Sequence, residues 1–249
     1  MKKMRSLSPN VIRGEDQGYI AYHAPRYAYL LNLLDRHGLG KDSTLLDIGP
    51  SRLTTLIHER FGTAVDSLGF GEDRITPEGR HFGFDLNRVQ RNEDWRRDLP
   101  RYDFIMMAEV LEHLYTAPQL VLSFLRTLLV DGGRLVLQTP NAASLPKRIK
   151  LLFGRNPFEM IRIDPLNPGH FREYTTRELH ALATTSGFQI EDCMMSFYFD
   201  ARFAHHHESG EAAGRQMALG SLKNLVYRFL PSPLREGITM VWRRSEPPV

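Results

Sequence analysis

The 249-residue chain reads as an α/β fold, a doubly wound and mostly parallel sheet with helices ahead of its first strand and a helical insertion before its last. Three observations predict it. Short apolar runs alternate with stretches of helical period from Leu45 onward, the pattern of successive βαβ units. The run Leu45-Leu46-Asp47-Ile48 ends in Gly49 and passes at once into a helical segment. Tyr102-Asp103-Phe104-Ile105-Met106-Met107 is almost continuously apolar, as a strand covered on both faces of a parallel sheet must be.

Taken in order, residues 19–34 carry apolar and aromatic side chains at helical spacing and predict one or two helices packed ahead of the sheet. Residues 44–48 form the first strand, Gly49-Pro50-Ser51 the turn, and 53–61 a helix. Strands follow at 63–67, 80–85 and 102–107. A helix over 118–130 is expected to stop at Asp131-Gly132-Gly133, where glycine suits a helix C-terminus. Residues 134–139 make a fifth strand, broken by Pro140, and the Pro-rich span beyond gives no periodic signal. A helix at 176–186 closes on Gly187 and a long strand runs over 188–199. Residues 238–242 are expected to pair antiparallel with that strand and close the sheet edge.

The 200–236 insertion contains Leu222, Leu225, Val226, Phe229 and Leu230 on one helical stripe. The stripe is expected to pack on the domain, with a homodimer contact or a peripheral membrane contact through 222–230 as the alternatives. The organisation is thus one domain: a helical cap at 1–42, a core at 43–199, the insertion at 200–236, and a closing strand and tail at 237–249.

Hydrophobic residues make up 42% and charged residues 24% of the chain, the balance of a globular protein. The basic start around Lys2, Lys3 and Arg5 has no apolar run behind it, and no stretch approaches the roughly 20 apolar residues that span a bilayer. The single cysteine, Cys193, reads as a buried strand residue and has no intrachain disulfide partner. Together these features point to the cytoplasm. A net charge of +3, spread along the chain, is compatible with nucleic acid, phosphorylated sugars or an anionic lipid surface as partner.

Chemistry concentrates at the ends of the expected strands. The turn after residues 44–48 lets main-chain amides and a helix N-terminus approach a cofactor. Asp66 stands nineteen residues beyond Asp47, at the expected end of the second strand, where an acceptor-only carboxylate suits a ribose diol. Glu72 and Asp73 take that place if the strand ends later. After the third strand, Phe84-Asp85-Leu86-Asn87 offers a carboxylate for an exocyclic amine and an apolar neighbour for a purine ring.

With Ala108-Glu109-Val110-Leu111-Glu112-His113-Leu114 directly after the apolar strand, these segments resemble the class I S-adenosylmethionine-dependent methyltransferases. They are most like the small-molecule group of quinone and glycan biosynthesis. The resemblance covers residues 26–191 and is most specific at the strand with EVLEHL and the downstream Gly132-Gly133 turn. It implies a Rossmann-like, seven-stranded sheet with S-adenosyl-L-methionine across the carboxyl ends of the first four strands. Asp47 would lie near the methionine amino group and Gly49 under the cofactor, with Pro50 and Ser51 completing the turn. Asp66 would bind ribose, Asp85 and Leu86 adenine, and Ala108 and Glu109 would flank the methionine end. Glu112 and His113 would fix the neighbouring helix start and loop. Members usually carry a GxGxG turn, whereas this chain has Gly49-Pro50-Ser51-Arg52-Leu53. Side chains there would narrow the methionine end, or Arg52 would pair with the cofactor carboxylate.

Downstream, Pro168-Gly169-His170-Phe171-Arg172-Glu173-Tyr174 resembles the segment that borders the acceptor pocket in such enzymes. His170 is the candidate general base, since imidazole takes a hydroxyl proton near neutral pH. No metal is expected: His205-His206-His207 are adjacent and lack acidic or cysteine partners at suitable spacing. The leading expectation is O-methylation of a small-molecule or glycan-like hydroxyl. A missing [DN]PP[YF] element argues against nucleobase N-methylation. Lys147, Arg148, Lys150 and Arg155 keep phosphate-bearing acceptors open, and an RNA ribose acceptor or a non-catalytic binding protein are the alternatives.

Overall fold

The computed structural model describes residues 17–164, 168–204 and 211–245; the basic N-terminal start and His205-His206-His207 lie outside them. The chain forms two compact units, Leu30–Phe197 with Leu230–Val249, and Met1–Tyr29 with Tyr198–Phe229.

The larger unit holds an eight-stranded sheet. Its parallel strands are β1 (Leu45–Ile48), β2 (Val65–Gly69), β4 (Arg80–Gly83), β5 (Tyr102–Ala108) and β6 (Leu129–Pro140). β3 (Arg74–Ile75) pairs antiparallel with β4, and β8 (Gly237–Arg244) lies antiparallel between β6 and β7 (Phe188–Ser196). The order is β3-β4-β2-β1-β5-β6-β8-β7. All four residues of β1 are buried, which is why that strand is uniformly apolar except at Asp47.

Helix α2 (Arg52–Phe61) follows β1, α3 (Pro118–Thr127) follows β5, and α5 (Thr176–Thr185) precedes β7. Val121, Leu122, Phe124 and Leu125 of α3 are all fully buried in the core cluster with Ile105, Met107 and Leu137. Each such side chain contributes about 1.5–3 kcal/mol by leaving water. On α5, Thr175 and Glu178 form a reciprocal cap, each side chain meeting the other residue's main-chain N–H.

Four elements of the larger unit differ from expectation. Asp131-Gly132-Gly133 does not end a helix; it bulges inside β6, where pairing jumps from Tyr102↔Leu129 to Phe104↔Arg134, and Gly132 takes a φ of 72°. Residues 238–242 do not close the edge: Gly237 to Trp242 are buried, as befits an interior strand, and half-exposed β7 is the edge. The span after Pro140 contains a helix, α4 (Leu145–Leu152), started by Pro146 in its first turn. The two-residue β3, exposed throughout, is too short to leave a periodic trace.

The smaller unit contains the first part of α1 (Gln17–Arg36) and α6 (Glu211–Phe229). Tyr22 stacks on Phe199 with ring centroids 4.7 Å apart, and its carbonyl accepts from the Asp200 N–H at 3.0 Å. Asn224 of α6 donates to the Asp200 carboxylate at 2.8 Å and accepts from the Ala201 N–H at 3.1 Å. Gly220 lets the Ala201 carbonyl approach the helix where any Cβ would collide. The stripe expected to be packed is instead exposed at Leu222, Leu225, Val226 and Phe229.

Candidate active site

The parallel register lines up the carboxyl ends of five strands. Ile48 is level with Leu68 and Met107, Gly69 with Gly83, and Ala108 with Gln138. In open α/β sheets this rim is where ligands bind.

At its centre, Gly49 turns the chain with a φ of 72° and donates to the Leu68 carbonyl at 2.9 Å. A Cβ there would meet Val110 Cγ2 at 3.0 Å, so the turn needs glycine for both backbone conformation and space. Ser51 caps α2 in a reciprocal pair with Thr54, and Thr54 Oγ1 donates to the buried Asp47 carboxylate at 2.6 Å. Asp47 therefore braces the base of the turn while Gly49, Pro50 and Ser51 stay exposed above it. Arg52 pairs with Glu59 at 3.8 Å. The exposed turn therefore presents main chain and the short side chains of Pro50 and Ser51 to the rim.

On the neighbouring strand the structure moves the acidic residue. β2 continues to Gly69, which leaves Asp66 near the strand's start, level with Leu46, instead of at its carboxyl end. Its carboxylate accepts from the Arg80 N–H at 2.8 Å, the Arg80 guanidinium at 3.0 Å and the Tyr102 hydroxyl at 2.9 Å. Burial, then the Asp66 charge, pushes the Tyr102 phenol up. Beyond Gly69 come exposed Phe70 and Glu72, and Asp73. Asp73 is engaged by Arg96 and the Gly83 N–H, which hold its carboxyl at about 2.

After β4, Asp85 caps a short 3-10 turn by accepting from the Asn87 N–H at 2.9 Å. Leu86 belongs to the hydrophobic core, at 4% exposure, so it backs the rim from below and does not lie on its surface. The buried Asn87 carboxamide oxygen accepts from the Tyr115 and Thr116 N–H groups at 3.0 and 3.2 Å, tying this turn to the loop after β5.

β5 ends at Ala108, and Glu109 makes the corner with a φ of 59°, the one positive-φ non-glycine among the described residues. Its N–H donates to the Gln138 carbonyl at 2.8 Å. Next come Glu112, fully buried, and His113. Main-chain bonds from Phe171 and Arg172 to the Glu112 carbonyl, at 2.8 and 3.2 Å, bring His170 alongside. The His113 and His170 rings meet edge to face with centroids 4.7 Å apart.

Both rings are held from behind: His113 Nδ1 contacts the Gly169 carbonyl at 2.9 Å, and His170 Nδ1 contacts Glu173 Oε1 at 3.1 Å. Glu173 Oε2 also accepts from Lys147 Nζ of α4, and Thr139 Oγ1 donates to Glu112 Oε2 at 3.0 Å. Burial, then the adjacent His113, pushes His170 down to about 4. Burial likewise pushes Lys147 down to about 8, against the pull of Glu236 and Glu109. In α4 and the segment that follows it, Leu151, Leu152, Phe153, Met160, Ile161 and Ile163 are all more than half exposed, interleaved in sequence with exposed Arg148, Lys150, Arg155 and Arg162.

The structure thus gathers Gly49, Pro50, Ser51, Asp85, Ala108 and Glu109 on one rim, places His170 beside the β5 corner's continuation, and sets Asp66 apart. Sequence reasoning gave no role of their own to Glu173, Thr139 and Asn87, whose value lies in contacts across the chain. For Glu173 a local signal existed in its i+3 spacing from His170.

Residues 21–192 match the model of the family described as methyltransferase domain. A probable S-adenosylmethionine-dependent methyltransferase of Mycolicibacterium smegmatis (strain ATCC 700084 / mc(2)155) is 35% identical over 96 residues, 39% of this chain and 32% of that protein. The match spans about a third of that relative's length. A SAM-dependent methyltransferase from Archaeoglobus fulgidus superposes with a TM-score of 0.51 at 17% identity, covering 87% of this chain and 94% of that one. The Burkholderia thailandensis 1,6-didemethyltoxoflavin-N1-methyltransferase, solved with 1,6-didemethyltoxoflavin and S-adenosylhomocysteine bound, gives 0.55 at 16%, covering 92% and 82%. At these identities the structural likeness speaks to the fold. Among the described residues no helix is long and apolar enough to cross a membrane.

Proposed function

Because the chain belongs to the methyltransferase-domain family, whose cofactor is S-adenosylmethionine, we propose that it methylates a hydroxyl of a small-molecule or glycan-like acceptor. The observation that carries the hydroxyl reading is the contact of His170 Nδ1 with the buried Glu173 carboxylate at 3.1 Å. A carboxylate at Nδ1 favours the tautomer with its proton there and leaves Nε2 as the proton acceptor. Hydroxyls need such an acceptor when they attack carbon.

S-adenosylmethionine, when bound, supplies a methyl group already activated on a sulfonium. What remains for the protein is orientation and proton handling. In this reading the Gly49-Pro50-Ser51 turn, braced by Asp47, receives the methionine end, with Ala108 and Glu109 at its flank. Asp85, backed by Leu86, receives the adenine. Glu72 takes the ribose in place of Asp66, because the Asp66 carboxylate already serves Arg80 and Tyr102. The exposed apolar and basic side chains around α4 suit an amphiphilic acceptor that carries an anionic group, such as a lipid-linked sugar.

Calorimetry with S-adenosylmethionine, followed by turnover on a panel of hydroxylated glycans and glycolipids, tests this reading. Binding with release of S-adenosylhomocysteine on at least one hydroxyl acceptor is expected. Binding without turnover across the panel favours a non-catalytic protein, and transfer to amines alone overturns the hydroxyl assignment.

A further inference from the structure

We propose that Glu112, His113 and His170 form a binding site for one divalent first-row transition-metal cation. Each offers a ligand atom, and the three atoms lie within 4.8 Å of one another. Ligands about 2.0–2.2 Å from a shared ion stand roughly 3–3.5 Å apart, so movements of about 1 Å gather this set.

The donor chemistry selects the ion. Two imidazoles and one carboxylate suit zinc, manganese, iron(II) or cobalt(II), whereas calcium and magnesium favour oxygen alone. Three protein ligands also leave coordination positions open.

The surroundings are those of a ligand set held in place. A metal-bound histidine commonly gives its other ring nitrogen to a carbonyl or carboxylate, and both rings here do so. His113 Nδ1 meets the Gly169 carbonyl and His170 Nδ1 meets Glu173, so Nε2 is the nitrogen each ring has to offer. Thr139 Oγ1 fixes the carboxylate by donating to Glu112 Oε2. The Glu112 carbonyl holds the His170 segment through Phe171 and Arg172, so all three ligands ride on one hydrogen-bonded frame. Glu112 is fully buried, and a divalent charge beside it would offset the cost of keeping a carboxylate from water.

The sequence expectation of no metal rested on His205-His206-His207 and did not reach this set, which joins residues 57 positions apart (170 − 113). Resting on the proposed hydroxyl methylation, the cation has a role there. A hydroxyl at an open position becomes more acidic and gives its proton to solvent; its oxygen forms the bond to the methyl carbon as the carbon–sulfur bond breaks and sulfur leaves as the thioether. Nε2 cannot bind metal and accept a proton at once, so in the filled site the acidified hydroxyl loses its proton to solvent, and His170 acts as the base only in the metal-free site.

The test is titration of the untagged, chelator-stripped full chain with cobalt(II), read by visible absorption and calorimetry. One equivalent should bind with d–d bands of nitrogen and oxygen ligation. His113→Ala and His170→Ala should each abolish the bands and weaken binding at least roughly tenfold, and Glu173→Gln should weaken it about tenfold. The combined replacements His205→Ala, His206→Ala and His207→Ala should change neither. No stoichiometric cobalt on the native chain, or unchanged binding in the folded His113 and His170 variants, overturns the site; His170→Gln serves where an alanine variant does not fold. S-adenosylmethionine calorimetry on the same samples separates the two readings. Cofactor binding without cobalt sinks the metal site alone, and cobalt binding without cofactor supports the site while sinking the methyltransferase reading.

Discussion

Asp66 and Arg80 are joined twice across β2 and β4, through the Arg80 main-chain N–H at 2.8 Å and its guanidinium at 3.0 Å. Tyr102 adds a hydroxyl to the same carboxylate at 2.9 Å. This arrangement makes Asp66 a strand clamp. Asp66→Ala should lower the unfolding free energy by about 2–3 kcal/mol in urea melts, since it leaves a buried phenol without its acceptor. Cofactor affinity in the folded variant should stay within about twofold, whereas Glu72→Gln should weaken it about tenfold, the loss of one charged hydrogen bond. The reverse ranking would return the ribose to Asp66.

Glu109 tests the corner after β5. A left-handed backbone costs a non-glycine residue about 1 kcal/mol or more. Glu109→Gly should therefore retain or raise stability by up to about 1 kcal/mol in thermal melts while weakening S-adenosylmethionine binding. A clear loss of stability would mean that the carboxylate, and not the backbone, holds the corner.

His170 carries a pH signature in metal-stripped protein. Its folded value of about 4 lies below the ordinary 6.5. Above about pH 6.5 the ring is neutral in both folded and unfolded chains and its full contribution is present. As pH falls toward 4 the unfolded chain takes up the proton first, and no more than about 2–3 kcal/mol is lost, given a side chain 31% exposed. Equilibrium melts between pH 7 and 4 should show this slope, flattened in His170→Gln. Turnover that depends on the neutral ring should hold level to about pH 5, and an acid limb centred near 6.5 would contradict the burial argument.

Leu152 and Phe153, at 80% and 73% exposure, can be changed with little structural consequence. The pair Leu152→Ser and Phe153→Ser should alter stability by less than about 0.5 kcal/mol each. If the acceptor is amphiphilic, its KM rises severalfold while kcat holds. An unchanged KM across glycolipid acceptors removes this surface from acceptor recognition.

How much of this was legible in the sequence follows from the range of each signal. The Asp47–Gly49 turn and residues 102–107 were readable because strand periodicity and a glycine corner are local. Asp66 was misplaced because Ser67, Leu68 and Gly69 extend β2 through main-chain pairing with β4, which their polarity pattern does not report. The helix at α4 escaped because its apolar stripe of Leu145, Ile149 and Leu152 is confined to one short helix in a Pro-rich stretch, too brief to stand out from loop. Asp131-Gly132-Gly133 carried a helix-ending composition that a bulge in β6 uses equally well. The pairing of His113 with His170 lay beyond any local pattern.

Glu173 has one carboxylate and two clients. Oε2 takes the ammonium of Lys147, which rides on α4, and Oε1 meets the ring of His170. Helix and imidazole are consequently moored to the same post. A molecule that shifts α4 must either carry the ring with it or part the mooring, so an acceptor of the proposed kind, if it lies against α4, is felt at the imidazole proposed to take its proton.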